Sequence, residues 1–431
     1  MYSCRREPVP SASLRVPPSL SRLITPAGGR GSCKKERILR LKSVSIFLAL
    51  AASWPALAGP SSLPATTASP TISTSIERHR TSNALDSELA VADWYTLIRG
   101  SLQHEAAHEN GVVRLNGEIQ ASRYDILDIE DDQAAAVQLE VTSKISPAVE
   151  IRGALSYRVS SEGDNLSFGP FIIGTRTLKQ VFAAETQLGV DLGGGTALVL
   201  DFADALEKVG RTTFQHSIFT PTKLDPDRNR LRVGARLFRT TGPFTYGVSA
   251  AATRVSVERL GFPPAGLSLS EYTLRTETGW AGDDGAIINA AVGIQTLLGE
   301  DGIYADTRPS YQISFAKPLP KGVELRGALF ARFDTADSDD PLASWLHRGE
   351  IELRLRPASK LELASGIFGE WKENLLFENE ERAHGVYAEA TYDATQAVSL
   401  VFRVDFTDRT LTVIDTRKKT VDAFIGVRTK I

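Results

Sequence analysis

The last eleven residues of the chain, VDAFIGVRTKI, alternate between two kinds of side chain. From Val421 to Ile431 every second residue is apolar or small, and three of the five residues between them are charged. A period of two describes a β-strand with one apolar face and one largely hydrated face. The same pattern recurs along most of the chain in segments of about 9–11 residues, the length of a tilted membrane-crossing strand, so it predicts a transmembrane β-barrel.

Eighteen segments carry this alternation, and it is weakest in 71–80 and 90–103. The sequence therefore predicts an all-β fold, a transmembrane antiparallel up-and-down β-barrel of about 18 strands. The alternative is 16 strands, if the two weak segments do not form strands. A ring of either size is wide enough to enclose an aqueous channel.

The links between these segments are short and long in turn. Short links such as DLGGGT and AGDDG carry the turn formers Gly and Asp, whereas the long links include 160–179 and 206–227. Transmembrane barrels show this asymmetry, with short periplasmic turns and long extracellular loops. We expect both ends of the barrel in the periplasm, and we expect the loop at 206–227 to fold inward and narrow the lumen.

One face of the predicted strands is rich in charge. At the bilayer midplane a charged side chain that faces lipid costs about 2–4 kcal/mol, whereas one that faces water in a lumen costs little. The charged rows are therefore predicted to point inward. The predicted lumen-lining charges are Arg152, Arg158, Arg230, Arg232, Arg236, Glu324, Arg326, Arg332, Glu350, Glu352, Arg354, Arg403, Asp405 and Arg428.

The opposite face carries aromatic residues, many of them near strand ends. Tyr and Trp are enriched where a membrane meets water, because their rings are apolar at one end and polar at the other. The predicted lipid-interface aromatics are Tyr157, Tyr246, Trp280, Tyr311, Trp371, Tyr392, Phe402 and Phe406.

Three arginines, Arg230, Arg232 and Arg236, lie on one strand face with no acid between them. Two interpretations are open. They stiffen the wall by pairing with acids of neighbouring strands, or they form a basic stripe that attracts anionic solutes, because charged groups that line a pore set its selectivity. In the second case, changing Arg230 and Arg232 to Glu would shift selectivity toward cations.

The N-terminal region indicates export. Five basic residues between positions 34 and 42 precede the apolar run VSIFLALAA, and ALA at 56–58 offers a small-residue cleavage site before Gly59. This pattern is typical of a secretory signal peptide. We expect an N-terminal extension plus signal peptide (1–58, cleaved after Ala58), a periplasmic linker (59–69) and an outer-membrane β-barrel (70–431). Residues 1–37 are hypothesised to precede the true translation start.

Composition argues against two classes of function. The chain has 49 basic and 52 acidic residues, so it lacks the basic excess of a dedicated nucleic-acid binder. Cys4 and Cys33 both precede the expected cleavage site. The mature chain would therefore have no disulfide, no thiolate metal site and no cysteine nucleophile.

Two motifs match known chemistry in their letters only. HEAAH at 104–108 fits the HExxH zinc signature, but the Asn-Gly pair at 110–111 is typical of a turn between strands, and Arg114 stands where the longer signature needs a third His. The glycine run 193–195 is not followed by the Lys of a phosphate-binding loop and indicates a turn. We predict no catalytic residue, no metal site and no cofactor.

The stretch SNALDSELAVADWYTLIRGSL (82–102), followed by ASRYD (121–125), resembles the opening of bacterial outer-membrane proteins of the β-barrel porin 2 family. In that family an early strand ends near an Asn, a short loop follows, and an Asp–aromatic pair opens the next strand. The resemblance covers roughly residues 70–431. It implies a channel-forming barrel, and some members accompany polysaccharide-export systems.

We therefore expect a non-enzymatic porin-like channel, integral to the outer membrane, that passes small polar solutes through a charged aqueous lumen. The alternatives are an outer-membrane outlet for polysaccharide export and a non-conducting structural barrel. The expected partners are outer-membrane lipid and lipopolysaccharide, the barrel-assembly machinery, and small polar solutes or a polysaccharide, with no nucleic acid. Acidic clusters at 130–132 and 337–340 are candidates for divalent-ion bridges to lipopolysaccharide.

Overall fold

A computed structural model describes residues 66–67, 69–86, 90–168, 171–215, 218–260, 267–302, 304–335, 342–376, 379–412 and 416–431. The predicted signal peptide, with its cleavage site between Ala58 and Gly59, lies outside these residues, and so does the acidic cluster 337–340. The described residues belong to one compact unit, Pro64–Ile431.

Eighteen long strands form one sheet that closes on itself. Consecutive strands pair antiparallel, and the first pairs with the last. This confirms the predicted all-β barrel, including its two weakest segments. The strands are β1 (Thr71–Thr81), β2 (Asp93–His108), β3 (Gly111–Tyr124), β4 (Gln133–Ser146), β5 (Val149–Phe168), β6 (Phe171–Gly193), β7 (Thr196–Val209), β8 (Arg228–Thr241), β9 (Phe244–Val257), β10 (Leu269–Ala281), β11 (Ile287–Gly299), β12 (Ala305–Leu319), β13 (Val323–Asp334), β14 (Ser344–Ala358), β15 (Leu361–Asn374), β16 (Asn379–Asp393), β17 (Val398–Leu411) and β18 (Thr416–Lys430).

Strand β8 shows how the alternation builds the wall. Leu231, Val233 and Leu237 are 40–47% exposed and alternate with arginines. Arg230, on the other face, donates a hydrogen bond to Thr335 at the end of β13, five strands away around the ring. Only a side chain inside the ring can make that contact, so the charged face is the lumen face. The exposed apolar face is then the outer wall, as a barrel in lipid requires.

Strands β5 and β6 rise beyond their neighbours. They span 20 and 23 residues and remain paired through the region 160–179, so the prediction of a long irregular loop there is wrong. Arg176 braces this extension by donating a 2.5 Å hydrogen bond to the carbonyl oxygen of Asp131. Beyond a membrane both faces of a hairpin are hydrated. The sequence therefore stops alternating between apolar and polar residues, although the backbone hydrogen bonds between β5 and β6 continue.

The region 206–227 also differs from the prediction. Strand β7 extends to Val209, and the two-residue strand Thr213–Phe214 pairs with β6. The amide of Gln215 then donates to the carbonyl oxygen of Gly174 at 2.8 Å. The described part of this loop therefore continues the wall along β6, and the lumen is narrowed elsewhere.

At the long-loop end, the wall pairing between β12 and β13 is incomplete. Their pairing runs from Leu319–Val323 only as far as Tyr311–Ala331. Beyond it, β12 residues 305–310 pair with β11 alone, and β13 residues 332–334 pair with β14 alone. Pro309, which has no N–H to donate, lies in this one-sided stretch, where a strand edge tolerates proline.

Helices contribute little to the described residues. None of those present is long and apolar enough to cross a bilayer.

Candidate functional site

The part of the β13–β14 hairpin that the structure describes bends into the lumen. We call its described parts, 331–335 and 342–347, the inward hairpin. Arg230 on β8 donates to the hydroxyl of Thr335 at 2.8 Å, and the amide of Phe333 donates to the side-chain oxygen of Gln295 on β11 at 3.3 Å. Both partners lie on the lumen face of the wall. The hairpin therefore reaches from β13 toward β8 and covers the long-loop ends of β9, β10 and β11.

An apolar cluster holds the inward hairpin in place. Phe333 and Trp345 are 4% and 3% exposed, and their rings meet edge to face at 4.7 Å. They pack against the lumen-facing side chains of Val255, Leu269 and Leu297 at the ends of β9, β10 and β11. By register, Phe333 and Trp345 belong to the outer face of their strands. Because the hairpin bends inward, that face turns toward the inner wall.

A half-buried arginine joins the hairpin region to the wall. Arg308 on β12 bonds Asp306 at 2.5 Å and holds both carboxylate oxygens of Glu373 on β15, at 2.6 and 3.1 Å. Its guanidinium also lies 5.4 Å from the centre of the Trp345 ring. Bidentate arginine–carboxylate pairs fix geometry as well as energy. Arg308 therefore bridges the junction at which the wall pairing stops.

Two of the predicted lipid-interface aromatics lie at this junction. The Trp345 indole donates to His347 Nε2 at 2.6 Å, which leaves Nδ1 to donate to the Tyr311 hydroxyl at 3.0 Å. The His347 ring stacks on Trp371 at 4.7 Å. The other six have outer-face register, in the strands that carry the exposed apolar residues. They are Tyr157, Tyr246, Trp280, Tyr392, Phe402 and Phe406.

The predicted lumen charges all have lumen-face register, and most pair locally. Pairs closer than 3 Å join Arg152 to Glu150, Arg326 to Glu324, Arg354 to Glu352 and Arg403 to Asp405. Longer contacts of 3.3–3.7 Å join Glu350 to Arg348 and Arg428 to Glu77.

The exceptions concentrate on β8 and β13. Arg230 bonds Thr335, and Arg232 is 3.8 Å from Asp201. The Arg332 guanidinium lies 5.0 Å from the centre of the Phe330 ring. Arg236 lines a second groove at the opposite end of β8 from Arg230. Arg158, on β5, has lumen-face register and interacts electrostatically with Glu162.

The neighbouring sector of the lumen, from β3 to β8, is open. A groove of about 550 Å³ lies against its inner wall, lined by Arg114, Glu140, Arg152, Glu185 and Asp201 among others. The Arg152 and Arg232 side chains that border it are 61% and 55% exposed. This sector is hydrated, in contrast to the sector that the hairpin fills.

The sequence reasoning missed a buried network where β1 joins β18. Glu77 and His79 are 1% and 5% exposed, and His79 bonds Glu77 at 3.2 Å and Asp422 at 2.9 Å. Arg99 donates to both oxygens of Glu77 at 2.9 and 3.0 Å. The sequence signal was the inward register of Glu77 and His79, two charged positions in a strand of weak alternation. The network ties together the two ends of the ring.

The carboxylate of Asp227, in the loop between β7 and β8, accepts several hydrogen bonds. Burial alone would raise the pKa of Asp227, but hydrogen bonds from Lys223, the Val209 amide and Lys208 outweigh it and lower the pKa to about 2. These bonds measure 2.7–2.9 Å. Lys223 also bonds Glu258. Asp227 therefore anchors the loop between β7 and β8.

The HEAAH motif at 104–108 is part of the barrel wall. HEAAH lies in β2 and its turn, where Glu105 faces the lumen and pairs with Arg114 at 2.6 Å. The two histidines are about 13 Å apart along the strand, too far to share one metal. No group of three metal-ligating side chains occurs among the described residues.

Two further predicted features are also accounted for. The glycine run 193–195 forms the β6–β7 turn with φ of 60–83°, which confirms that interpretation, since glycine alone adopts such angles freely. In the acidic cluster, Asp131 accepts from the Tyr124 amide and Asp132 from the Gly163 amide. Both carboxylates thus hold loop backbone.

Comparison with known proteins supports the fold. The copper transporter OprC has a TM-score of 0.54 and 9% identity, over 84% of this chain and 80% of its own. OccK2 from Pseudomonas aeruginosa has a TM-score of 0.46 and 9% identity, over 84% and 98%. The ferric citrate transporter FecA has a TM-score of 0.44 and 11% identity, over 79% and 60%. The match to OprC supports the closed β-barrel fold that the strand pairing shows.

No family model matches the sequence, and no curated protein matches it. The resemblance to the β-barrel porin 2 family is thus not confirmed.

Proposed function

We propose that this chain is an integral outer-membrane channel through which small polar solutes diffuse. The observation that carries the proposal is the contrast between two neighbouring sectors of the lumen. The inward hairpin fills the long-loop end of the sector from β8 to β13, whereas the sector from β3 to β8 keeps ionised side chains around an open groove of about 550 Å³. Ionised groups at that depth are inexpensive only where water reaches them.

The setting of such a channel follows from the same fold. A signal peptide at 1–58 would direct export, and the barrel-assembly machinery would insert the strands. The exposed apolar outer wall would contact lipid, and the long loops would meet lipopolysaccharide at the cell surface. The inward hairpin reduces the open cross-section of the lumen. This favours small solutes over an extended polysaccharide, because a polymer chain would have to pass through the part of the lumen that the hairpin leaves open. We assign no enzymatic role.

Conductance tests the proposal directly. The mature protein is purified in detergent, its folded state is verified by heat-dependent mobility on a gel, and it is added to planar lipid bilayers. We expect discrete and steady conductance steps in KCl. A folded protein that inserts and never conducts would contradict the proposal and favour a structural barrel. A matched comparison is a variant with Trp at Ala154, whose ring would occupy the groove and should lower the step size.

A further inference from the structure

The open sector carries a charge pattern that follows from strand register. Antiparallel pairing sets a lumen-face residue of each strand directly beside a lumen-face residue of the next strand. One such row, from β3 to β8, runs through Arg114, Glu140, Ala154, Glu185, Ala203 and Arg232. Along the inner wall the row therefore reads positive, negative, small, negative, small, positive.

The two alanines create the space. Methyl side chains at Ala154 and Ala203 leave room between the charged side chains, and the groove of about 550 Å³ lies over them. The amides of Gln138 and Gln187 add to its polar lining. Binding sites for small molecules commonly have volumes of this order, about 300–1,000 Å³.

Some charges of the groove are already satisfied. Arg114 bonds Glu105 at 2.6 Å, and Arg152 bonds Glu150 at 2.6 Å. Each of these guanidiniums has an acid of its own, so the pairs present little net charge to a solute.

Two other kinds of group remain available. Arg232 forms only a loose ion pair with Asp201, at 3.8 Å, and its side chain is 55% exposed, so its guanidinium is accessible to a solute. Neither Glu140 nor Glu185 makes a salt bridge in the part of the chain that the structure describes. The groove thus offers a guanidinium at one end and carboxylates next to it, with a small residue between them.

The spacing between the available groups suits a solute with two charges. Glu185 and Arg232 are separated by one strand, so their backbones are about 9.6 Å apart, twice the strand spacing. An α-amino acid holds its ammonium nitrogen about 3 Å from its carboxylate oxygens. Two charge-assisted hydrogen bonds of about 2.8 Å each bring the total to about 8.6 Å. Flexible side chains easily cover the remaining difference.

We infer that this groove is a subsite for zwitterionic solutes, α-amino acids or short peptides, on the permeation path. The inference rests on the proposed channel function and names its substrate class. A solute with only a negative charge is repelled by Glu185, and one with only a positive charge gains no bond from Arg232. Neutral sugars lack a stacking surface here, because Phe202 has outer-face register.

The test measures uptake of labelled serine into proteoliposomes that contain the barrel. Unlabelled competitors of similar size separate the charges: glycerol is neutral, glycerate lacks the ammonium and ethanolamine lacks the carboxylate. We expect unlabelled serine to compete best. We expect Glu185→Gln to strengthen competition by glycerate and Arg232→Gln to strengthen competition by ethanolamine.

Filling the groove provides a second variant. Ala154→Leu should reduce the competition by unlabelled serine about tenfold, as expected for the loss of one hydrogen bond to a charged group. Its matched control is Ala364→Leu, at a lumen-face position of β15 outside the groove, which should keep the wild-type ranking. Heat-dependent gel mobility verifies that each variant is folded.

The outcomes separate this inference from the channel itself. If the barrel conducts KCl but serine competes no better than glycerol, or if Glu185→Gln leaves the ranking unchanged, the zwitterion subsite is refuted and the channel stands. If the folded barrel neither conducts nor admits any of the four solutes, the proposed function fails as well.

Discussion

Two neighbouring sectors of the lumen, β3–β8 and β8–β13, are built from strands of the same pattern, and they differ in what covers them. At the long-loop end of β9, β10 and β11 the lumen face carries Val255, Leu269 and Leu297, and the inward hairpin buries them. Around the groove the lumen face carries charged and small residues, and it stays hydrated. The alternation of residues decides which face of a strand lines the lumen. Whether that face is apolar or charged decides whether the inward hairpin or water fills the adjacent part of the lumen.

Removing the inward hairpin should have the largest effect on this contrast. Replacing residues 333–345 by a two-glycine turn would join Arg332 to Leu346, which already pair across the hairpin. With both sectors open, we expect single-channel conductance to rise severalfold, since it follows the open cross-section.

The matched control removes three residues from the loop that the sequence favoured as the constriction. Ile218 and Phe219 of that loop are 82% and 40% exposed. Deleting 219–221 should leave conductance unchanged. A larger increase from this deletion than from the hairpin variant would reverse the assignment of the constriction.

Undocking the hairpin without shortening it should have the next largest effect. Phe333→Ala removes a buried ring, a change that costs about 3–5 kcal/mol in a well-packed core. We expect hydrogen exchange to accelerate at 331–335 and 342–347, and the current to become noisier. Phe402→Ala, on the lipid-facing wall, should leave exchange in the hairpin as it is. Equal exchange in both variants would mean that the aromatic contact does not hold the hairpin.

Charge reversal at the boundary between the sectors should have a moderate effect. Arg230→Glu together with Arg232→Glu should move the reversal potential in a KCl gradient toward cation preference, because both face the lumen. Arg230 also anchors Thr335, so a shift could arise from a displaced hairpin. Thr335→Val removes the hydrogen bond and keeps the charge. An equal shift in this control would assign the effect to the hairpin.

The smallest effect concerns pH at the rim of the open sector. The pKa of Asp227 is about 2 in the folded loop, below its ordinary 3.8, so its anchoring is complete above about pH 4 and is lost as the pH falls toward 2. We expect protection of the Val209 amide, corrected for intrinsic exchange, to weaken over that range. In Asp227→Asn protection should be lower at all pH values and should lack this transition. A transition near pH 6 would point to another group.

Sequence reasoning recovered the strands and their faces because both depend on local alternation. It missed the hairpin extension at 160–179. Neither face of that extension has to be apolar, so its Ser, Gly and Asp residues resemble the composition of a loop. It also missed the inward hairpin, whose contacts join residues as distant as Arg230 and Thr335. One signal was present: Leu342, Ala343, Trp345 and Leu346 are apolar at both odd and even positions. A segment buried on both sides shows that composition.

The one-sided stretch of β12 has a consequence for how this wall could be completed. Continuing the register of Tyr311 and Ala331 by one step would set Ser310 opposite Arg332, and two steps more would set Arg308 opposite Asp334. Arg308 would then exchange Glu373 for a new acid, and Phe333 would join the aromatic belt beside Pro309. That pairing would require Phe333 and Trp345 to leave the apolar cluster on the inner wall, so the docked hairpin keeps this junction open.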